Sequence, residues 1–300
     1  MPVSNSRYDL IHKRLQRFTQ MLHGIEKGRA RSVHGVRVAS RRLREVLPVL
    51  QLDRDLASHL GRRLRKVTHR LGTVRELDVL FLLVEEFRES GCYEERALAR
   101  LAAAIAEERS VAHDRLSARL PITQLQRLAA KLERISDDLV EKEEPRGITR
   151  GWRWAIEARV AHRAAPLKAA IEAAGTVYLP ERVHAVRIAM KKLRYSLELE
   201  AEISSAVTWR RDLTMLKRTQ AVLGHLRDRE VLIERVRQVQ ASLTPPDLVV
   251  WRSLDTLVTT IEKECRRLHA RYVRDAAALV ALCDRIVGRT PAAPRAQRAG

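Results

Sequence analysis

A chain of 300 residues, 45% hydrophobic and 31% charged, is long enough to bury a sizeable core, too polar for a membrane-embedded class and too apolar for a disordered one. Its net charge of +20 comes from 47 arginines and ten lysines against 37 carboxylates, which points to an anionic partner; the planar arginine fork favours phosphate oxygens over a generic acidic surface. Cys92, Cys265 and Cys283 are isolated, odd in number and without CxxC spacing, which suggests neither a disulfide framework nor a zinc site, and neither a signal-peptide core nor an apolar run of ~18 residues is present, so a reducing cytoplasm and no membrane span are expected.

Apolar residues recur with helical period almost throughout, and the dipeptides that mark β-hairpins are scarce, so the predicted fold is all-α. In chain order the spacing predicts helices over 5–24, 33–50, 54–71, 75–89, 93–119 and 122–142. A break follows at EKEEPRG, around Pro145 and Gly147, before helices over 149–174, 181–203, 207–223, 228–242 and 246–287. Pro180 and Pro246 suit helix starts, Gly72 and Gly224 read as helix ends, and Thr73 with Glu76 reads as a capping box for the next helix. The break separates a first helical half, 1–147, from a second, 148–288. Residues 289–300, basic and proline-containing, are expected to be a disordered tail.

The first helix of each half carries paired cations, Arg14 with Arg17 and Arg159 with Arg163, that would lengthen a cationic surface. The next helix carries more. From Val33 the sequence reads VHGVRVASRRLRE, and at about 100° per residue His34, Arg37, Arg41 and Arg44 share one face while Val36, Ala39, Leu43 and Val46 share the other. Arg42 sits at the border, where its stem can cover apolar surface and its head can reach the charged face. In the following helix Arg62, Arg65, Lys66 and His69 lie opposite Leu60, Leu64 and Val67.

The second half repeats this arrangement. VHAVRIAMKKLRY begins at Val183, 150 positions after its counterpart, and places His184, Arg187, Lys191 and Arg194 on one face with Lys192 at the border. Lys217 and Arg218 answer Arg65 and Lys66, and LGTVRELDVL from Leu71 returns as LGHLRDREVL from Leu223, at an offset of 152. Two pairs kept in order and spacing indicate an internal duplication. A solvated helix face alternates signs to gain i,i+4 pairs, whereas Arg37 to Arg44 contains no carboxylate and the second copy keeps a cation at each matched place. Clustered like charges repel, and a polyanion would neutralise them. Arg75 with Asp78, and Arg227 with Glu230, stand three apart and read as intrahelical ion pairs, the alternative being carboxylates that orient ligand-binding arginines.

No catalytic constellation is evident: GxxxxGK[ST], HExxH and GxSxG are all missing, and no metal ligand set or cofactor-binding motif stands out. Beside a row of guanidinium groups, His34 and His184 resist protonation until an anion arrives, so their expected role is contact with a ligand rather than proton transfer.

In combination and order, VHxxRVxxRRLR, LGxxRELDVL, VHxxRIxxKKLRY and a second LG segment resemble the CHAD domain family, the conserved-histidine α-helical domain, over about Tyr8 to Arg285. The resemblance implies two pseudo-symmetric helical bundles that bind inorganic polyphosphate along a basic groove; the missing catalytic motifs add the expectation of no turnover and no cofactor, and polyphosphate granules are the expected location. The family's histidine and basic positions fall on His34, Arg37, Arg41, Arg42 and Arg44, and on His184, Arg187, Lys191, Lys192 and Arg194. Its usual aspartate after the LG arginine is Glu76 here, and the second copy has Arg229 and Glu230 where the first has Leu77 and Asp78. CHAD domains often accompany triphosphate-hydrolysing CYTH domains with an ExExK strand; the nearest string, Glu198, Glu200 and Glu202, has a glutamate in place of the lysine and helical surroundings. The first competing reading is a helical module that binds nucleic acid or other polyanions non-specifically; the second is an enzyme that cuts or transfers phosphate, which would need a carboxylate cluster for Mg²⁺ or a positioned nucleophile. Against the first, aromatic content is 4% and Tyr195 is the sole aromatic in the repeated basic helices.

Overall fold

The apolar stripes predicted from the sequence become the buried seams of nine α-helices among the described residues, which are 6–26, 30–141, 149–204, 208–243 and 247–289 of a computed structural model. They are α1 (Arg7–Glu26), α2 (Ala30–Val46), α3 (Arg54–Glu89), α4 (Glu95–Arg119), α5 (Ile122–Glu141), α6 (Thr149–Ala174), α7 (Pro180–Ile203), α8 (Arg210–Ala241) and α9 (Leu248–Arg289), with a 3₁₀ turn at Leu47–Val49. The described residues include no strand, as the periodicity predicts. The predicted break around Pro145 and Gly147, the Pro246 helix start and the tail from 290 onward lie outside the described residues.

Local chemistry accounts for several boundaries. α2 ends before Pro48, whose ring and missing N–H do not suit a helix interior, and the chain tightens into the 3₁₀ turn. α3 begins after Asp53, whose carboxylate accepts from the backbone N–H groups of Asp55 and Leu56 at 3.0 Å. Glu94 caps α4 in the same way, accepting from Ala97 N–H at 2.9 Å.

The predicted ends at Gly72 and Gly224 do not occur. α3 and α8 run through them without interruption, so Thr73 and Glu76 lie within a helix and form no capping box. A glycine inside a helix costs about 0.5–1 kcal/mol, whereas burying one Leu or Val side chain contributes about 1.5–3 kcal/mol. Leu71, Val74 and Leu77 around Gly72, and Leu223 and Leu226 around Gly224, are all buried, so packing outweighs the local penalty. A Cβ on Gly72 would stand 3.9 Å from the Arg37 guanidinium, and one on Gly224 would stand 3.9 Å from that of Arg187. Both are ordinary contact distances. Gly72→Ala and Gly224→Ala should therefore each raise stability by about 0.5–1 kcal/mol in urea denaturation; a loss at both would show that the arginines require the bare glycine surface.

Three cores hold the molecule together. The first joins α1, α2, α5 and the amino-terminal part of α3, with Trp152 and Ile156 of α6 and Leu199 and Ile203 of α7 inserted into it. The second joins α6, α7, the first part of α8 and the carboxy-terminal part of α9. The third packs the distal parts of α3 and α8 with α4 and the first part of α9, so it draws on chain from both sides of the predicted 147/148 boundary. α2 also meets α7, and α3 meets α8.

Ion pairs reinforce those contacts. Arg14 of α1 binds Glu202 of α7 through two hydrogen bonds of 3.1 and 2.8 Å, and Arg159 of α6 reaches Glu45 of α2 at 2.6 Å. Arg235 of α8 pairs with Glu108 of α4.

Candidate functional site

The contact between α2 and α7 brings the two predicted cationic faces into one electrostatically coupled cluster. Arg37 feels the charges of Arg41, Arg187 and Arg75; Lys191 feels Arg187, Arg41 and Arg37; Arg44 feels Arg65, Arg41 and Arg163. Arg41 is common to all three sets. Asp228 partly offsets the field at Arg187 and Lys191, and Glu45, already held by Arg159, does so at Arg44.

Burial compounds the repulsion. Desolvation, followed by the Arg41 charge, lowers Arg37 to about 10, and desolvation with the charges of Arg187, Arg41 and Arg37 lowers Lys191 to about 6. Arg187, Arg44 and Arg163 are lowered as well, each chiefly by burial. His34 is lowered by burial and then by Arg75, Arg37 and Arg41, and His184 by burial and then by Arg227, Arg187 and Lys191. Both histidines thus disfavour the charged form, as expected from the neighbouring guanidinium groups. The Nε atoms of Arg37 and Arg187 and Nδ1 of His184 are buried and meet no hydrogen-bond acceptor among the described residues.

Other predicted residues fall outside this cluster or at its edge. Arg194 is held by Glu198 at 2.8 Å and lies over the Tyr195 ring at 4.6 Å, and Arg42 meets the same carboxylate at 3.5 Å. Lys192 faces a cavity with Arg163 and Pro166 on its wall, on the side of α7 toward α6. Arg62, Arg65, Lys66 and His69 on α3, and Lys217 and Arg218 on α8, are exposed, and Arg65 acts on Arg44 of the cluster while Lys66 lines a separate cavity with Arg70 and Arg119. Arg62 donates to Ser58 Oγ at 2.6 Å and Arg218 to Asp275 at 2.8 Å.

Arg14 and Arg159 do not lengthen the cationic surface, because each is neutralised by a carboxylate across a helix contact. Helical periodicity could not show those partners, which come from remote sequence. Arg17 is exposed on α1, and Arg163 joins the cluster through Arg44.

The structure adds two cations that the sequence reading assigned to ion pairs. Arg75 acts on His34 and Arg37, while Asp78, its expected partner, is bound by Arg109 of α4 at 2.6 Å. Arg227 does pair with Glu230, at 3.3 Å, yet it also acts on His184 and Arg187. Glu230 is steadied from its other side by the Tyr178 hydroxyl, which donates to it at 2.8 Å. The signal for both arginines was the repeated LGxxR spacing, which holds each one turn beyond a glycine that lies under Arg37 or Arg187.

Such an arrangement can receive several negative charges at once. No group of three or more His, Cys, Asp or Glu placed to hold a metal ion occurs among the described residues. Nor is any helix among them long and apolar enough to cross a membrane.

Comparison with known proteins places this geometry in a family. A search among curated proteins found no match. Among solved structures, PptA from Streptomyces chartreusis is similar with a TM-score of 0.59 and 16% identity, covering 95% of this chain and 100% of its own. The CHAD domain from the plant Ricinus communis is similar with a TM-score of 0.65 and 18% identity, covering 95% of this chain and 93% of its own. At these identities the likeness concerns the fold. The CHAD domain profile matches residues 9–225, from α1 to the first residues of the LG segment of α8 and across both histidine-started helices, and the chain therefore belongs to the CHAD domain family.

Proposed function

We propose that the protein binds inorganic polyphosphate through the cation cluster between α2 and α7, and that it does so without turning the polymer over. The observation that carries this reading is the mutual coupling of Arg37, Arg41, Arg187 and Lys191, four half-buried basic side chains from two remote segments, with Asp228 the carboxylate that partly offsets the field at Arg187 and Lys191. A fold does not gather like charges at a desolvated contact for stability, since each raises the cost of its neighbours. A linear polymer with about one charge per phosphate would relieve that cost along its length. The groove formed by the related halves, 1–147 and 148–288, would continue over the exposed cations of α3 and α8, and binding would place the protein at polyphosphate granules.

The test is a competition at fixed ionic strength among long-chain polyphosphate, tripolyphosphate, single-stranded DNA and duplex DNA, with released phosphate measured in the same samples containing Mg²⁺. Long-chain polyphosphate should bind most tightly per charge, because its second contact profits from the effective concentration created by the first. Affinity should fall steeply with salt, by analogy with counterion release from nucleic acids. Equal binding of DNA per charge would leave only a general polyanion binder, and phosphate release above a buffer control would make the protein an enzyme.

A further inference from the structure

A cavity of about 250 Å³ lies where the first half of α3 meets the end of α4 and the start of α5, and no residue of α2 or α7 lines it. Arg63, Lys66 and Arg70 face it from α3, where their i, i+3, i+7 spacing sets them on one side of the helix, and Arg119 faces it from the last turn of α4. No carboxylate lines this cavity. None of the four cations is held in an ion pair among the described residues, and all are half-buried or exposed, so their charges are open to a guest. The contrast with another arginine pair is direct: where Arg237 and Arg266 come together, Glu262 binds both.

Three features concentrate positive potential here. The floor includes the buried side chains of Val67, Leu125 and Leu128, and a cleft with walls of one charge over a low-dielectric base focuses the field into its interior. Arg70 donates to the backbone carbonyl of Arg119, which ties α3 to the end of α4 and fixes one arm of its guanidinium at the cavity. The start of α5, which contributes Gln124 and Leu125 to the wall, has no acidic residue in its first turn, so the positive end of that helix is not countered.

We propose that this cavity is a second anion site, which takes a compact phosphorylated molecule with its phosphate between the guanidinium groups of Arg63, Arg70 and Arg119 and with Lys66 adding charge. Forks that arrive from two helices suit a tetrahedral phosphate, whose oxygens point several ways, better than a planar carboxylate. A volume just below the roughly 300–1,000 Å³ of pockets for drug-sized ligands limits the guest to a phosphate with a few carbon atoms. The site shares Lys66 alone with the proposed polyphosphate surface, and neither reading depends on the other.

The experiment is calorimetric titration of the full chain at low salt, with glycerol 2-phosphate as probe and glycerol and malonate as controls. The phosphate ester should bind saturably, glycerol should not bind, and malonate should bind at least tenfold more weakly. Arg63→Gln combined with Arg119→Gln should weaken binding of the ester at the cavity at least tenfold. Neither position belongs to the buried core, so thermal unfolding should match the wild type. Arg237→Gln combined with Arg266→Gln removes the same formal charge and should leave the affinity within twofold. The chain with Arg37, Arg41, Arg187 and Lys191 replaced by alanine should still bind the ester, which separates this site from the cluster between α2 and α7. The Arg63 and Arg119 double variant should in turn keep long-chain polyphosphate affinity within a few-fold of wild type, so the two readings fail independently. Absence of saturable binding of the ester, unchanged binding in the Arg63 and Arg119 variant, loss of the site in the quadruple variant, or malonate binding as tightly as the ester would each overturn the proposal.

Discussion

Replacing Arg37, Arg41, Arg187 and Lys191 together by alanine is expected to leave the helical circular dichroism intact and to weaken binding of long-chain polyphosphate at least a hundredfold at physiological salt. Charge-assisted hydrogen bonds contribute about 1.5–3 kcal/mol each, and a factor of about 100 corresponds to ~2.7 kcal/mol, so the loss of two good contacts among four suffices. Folding should not suffer. The apolar faces of α2 and α7, with Val36, Leu43, Val186 and Leu193 buried, are untouched, and the variant loses a set of mutually repelling charges. A matched control separates local arrangement from net charge: Arg96, Arg237, Arg252 and Arg266 lie on exposed surface elsewhere, and their joint replacement by alanine removes the same formal charge. That control should retain most of the affinity. If both quadruple variants bind equally well, binding depends on total charge and the cluster is not the site.

The second expected result is that polyphosphate binding takes up protons near neutral pH. In the free protein Lys191 has its ordinary value of 10.5 lowered to about 6 by burial and by Arg187, Arg41 and Arg37, so its amine is largely neutral at pH 7.5. His34 and His184 are lowered too, by burial first and then by neighbouring arginines. A polyphosphate chain brings negative charge to these positions and favours their protonated forms. The bound state therefore holds more protons than the free state, and affinity falls as pH rises above about 6. Calorimetry in two buffers of different ionisation enthalpy measures the uptake directly. Lys191→Met should reduce it by up to about one proton and flatten the dependence of affinity on pH. Zero uptake in the wild type would mean that the ligand does not reach Lys191.

The same lowering carries a stability signature in the free protein. Between about 6, the folded value, and 10.5, the ordinary value taken for the unfolded chain, the unfolded state binds more protons at Lys191. The contribution of this lysine to stability therefore rises with pH across that window; its cost is full below about 6 and lifted as pH approaches 10.5. Lys191→Met should accordingly stabilise the free protein most at the acidic end.

The cationic faces were legible because they depend only on local geometry. Once α2 is a helix, His34, Arg37, Arg41 and Arg44 must share a side, and α7 repeats this with His184, Arg187, Lys191 and Arg194 whatever surrounds them. The all-α fold was legible for the same reason, since a period of about 3.6 residues needs no knowledge of partners. The helix ends were less so: Gly72 and Gly224 carry a local stop signal that Leu71, Val74, Leu223 and Leu226 override by being buried.

Which cations share a site is a different kind of question, because it depends on which helices touch. Arg14 and Arg163 look alike in sequence, each on the first helix of its half, yet Arg14 is neutralised by Glu202, 188 positions away, while Arg163 faces Arg44. Asp78 leaves Arg75 for Arg109 because α4 packs beside α3 and presents a closer guanidinium. The string of Glu198, Glu200 and Glu202 divides in the same way: the first pairs with Arg194, the third with Arg14, and the second lines a cavity. By itself the sequence determined the helices, their charged faces and the excess of arginine, all properties of residues a few positions apart. Only the tertiary structure decided that Arg41 is shared between α2 and α7, that Arg75 and Arg227 join them, and that a buried carboxyl lies behind α7, because Coulomb and desolvation energies depend on distances between segments that no local spacing encodes.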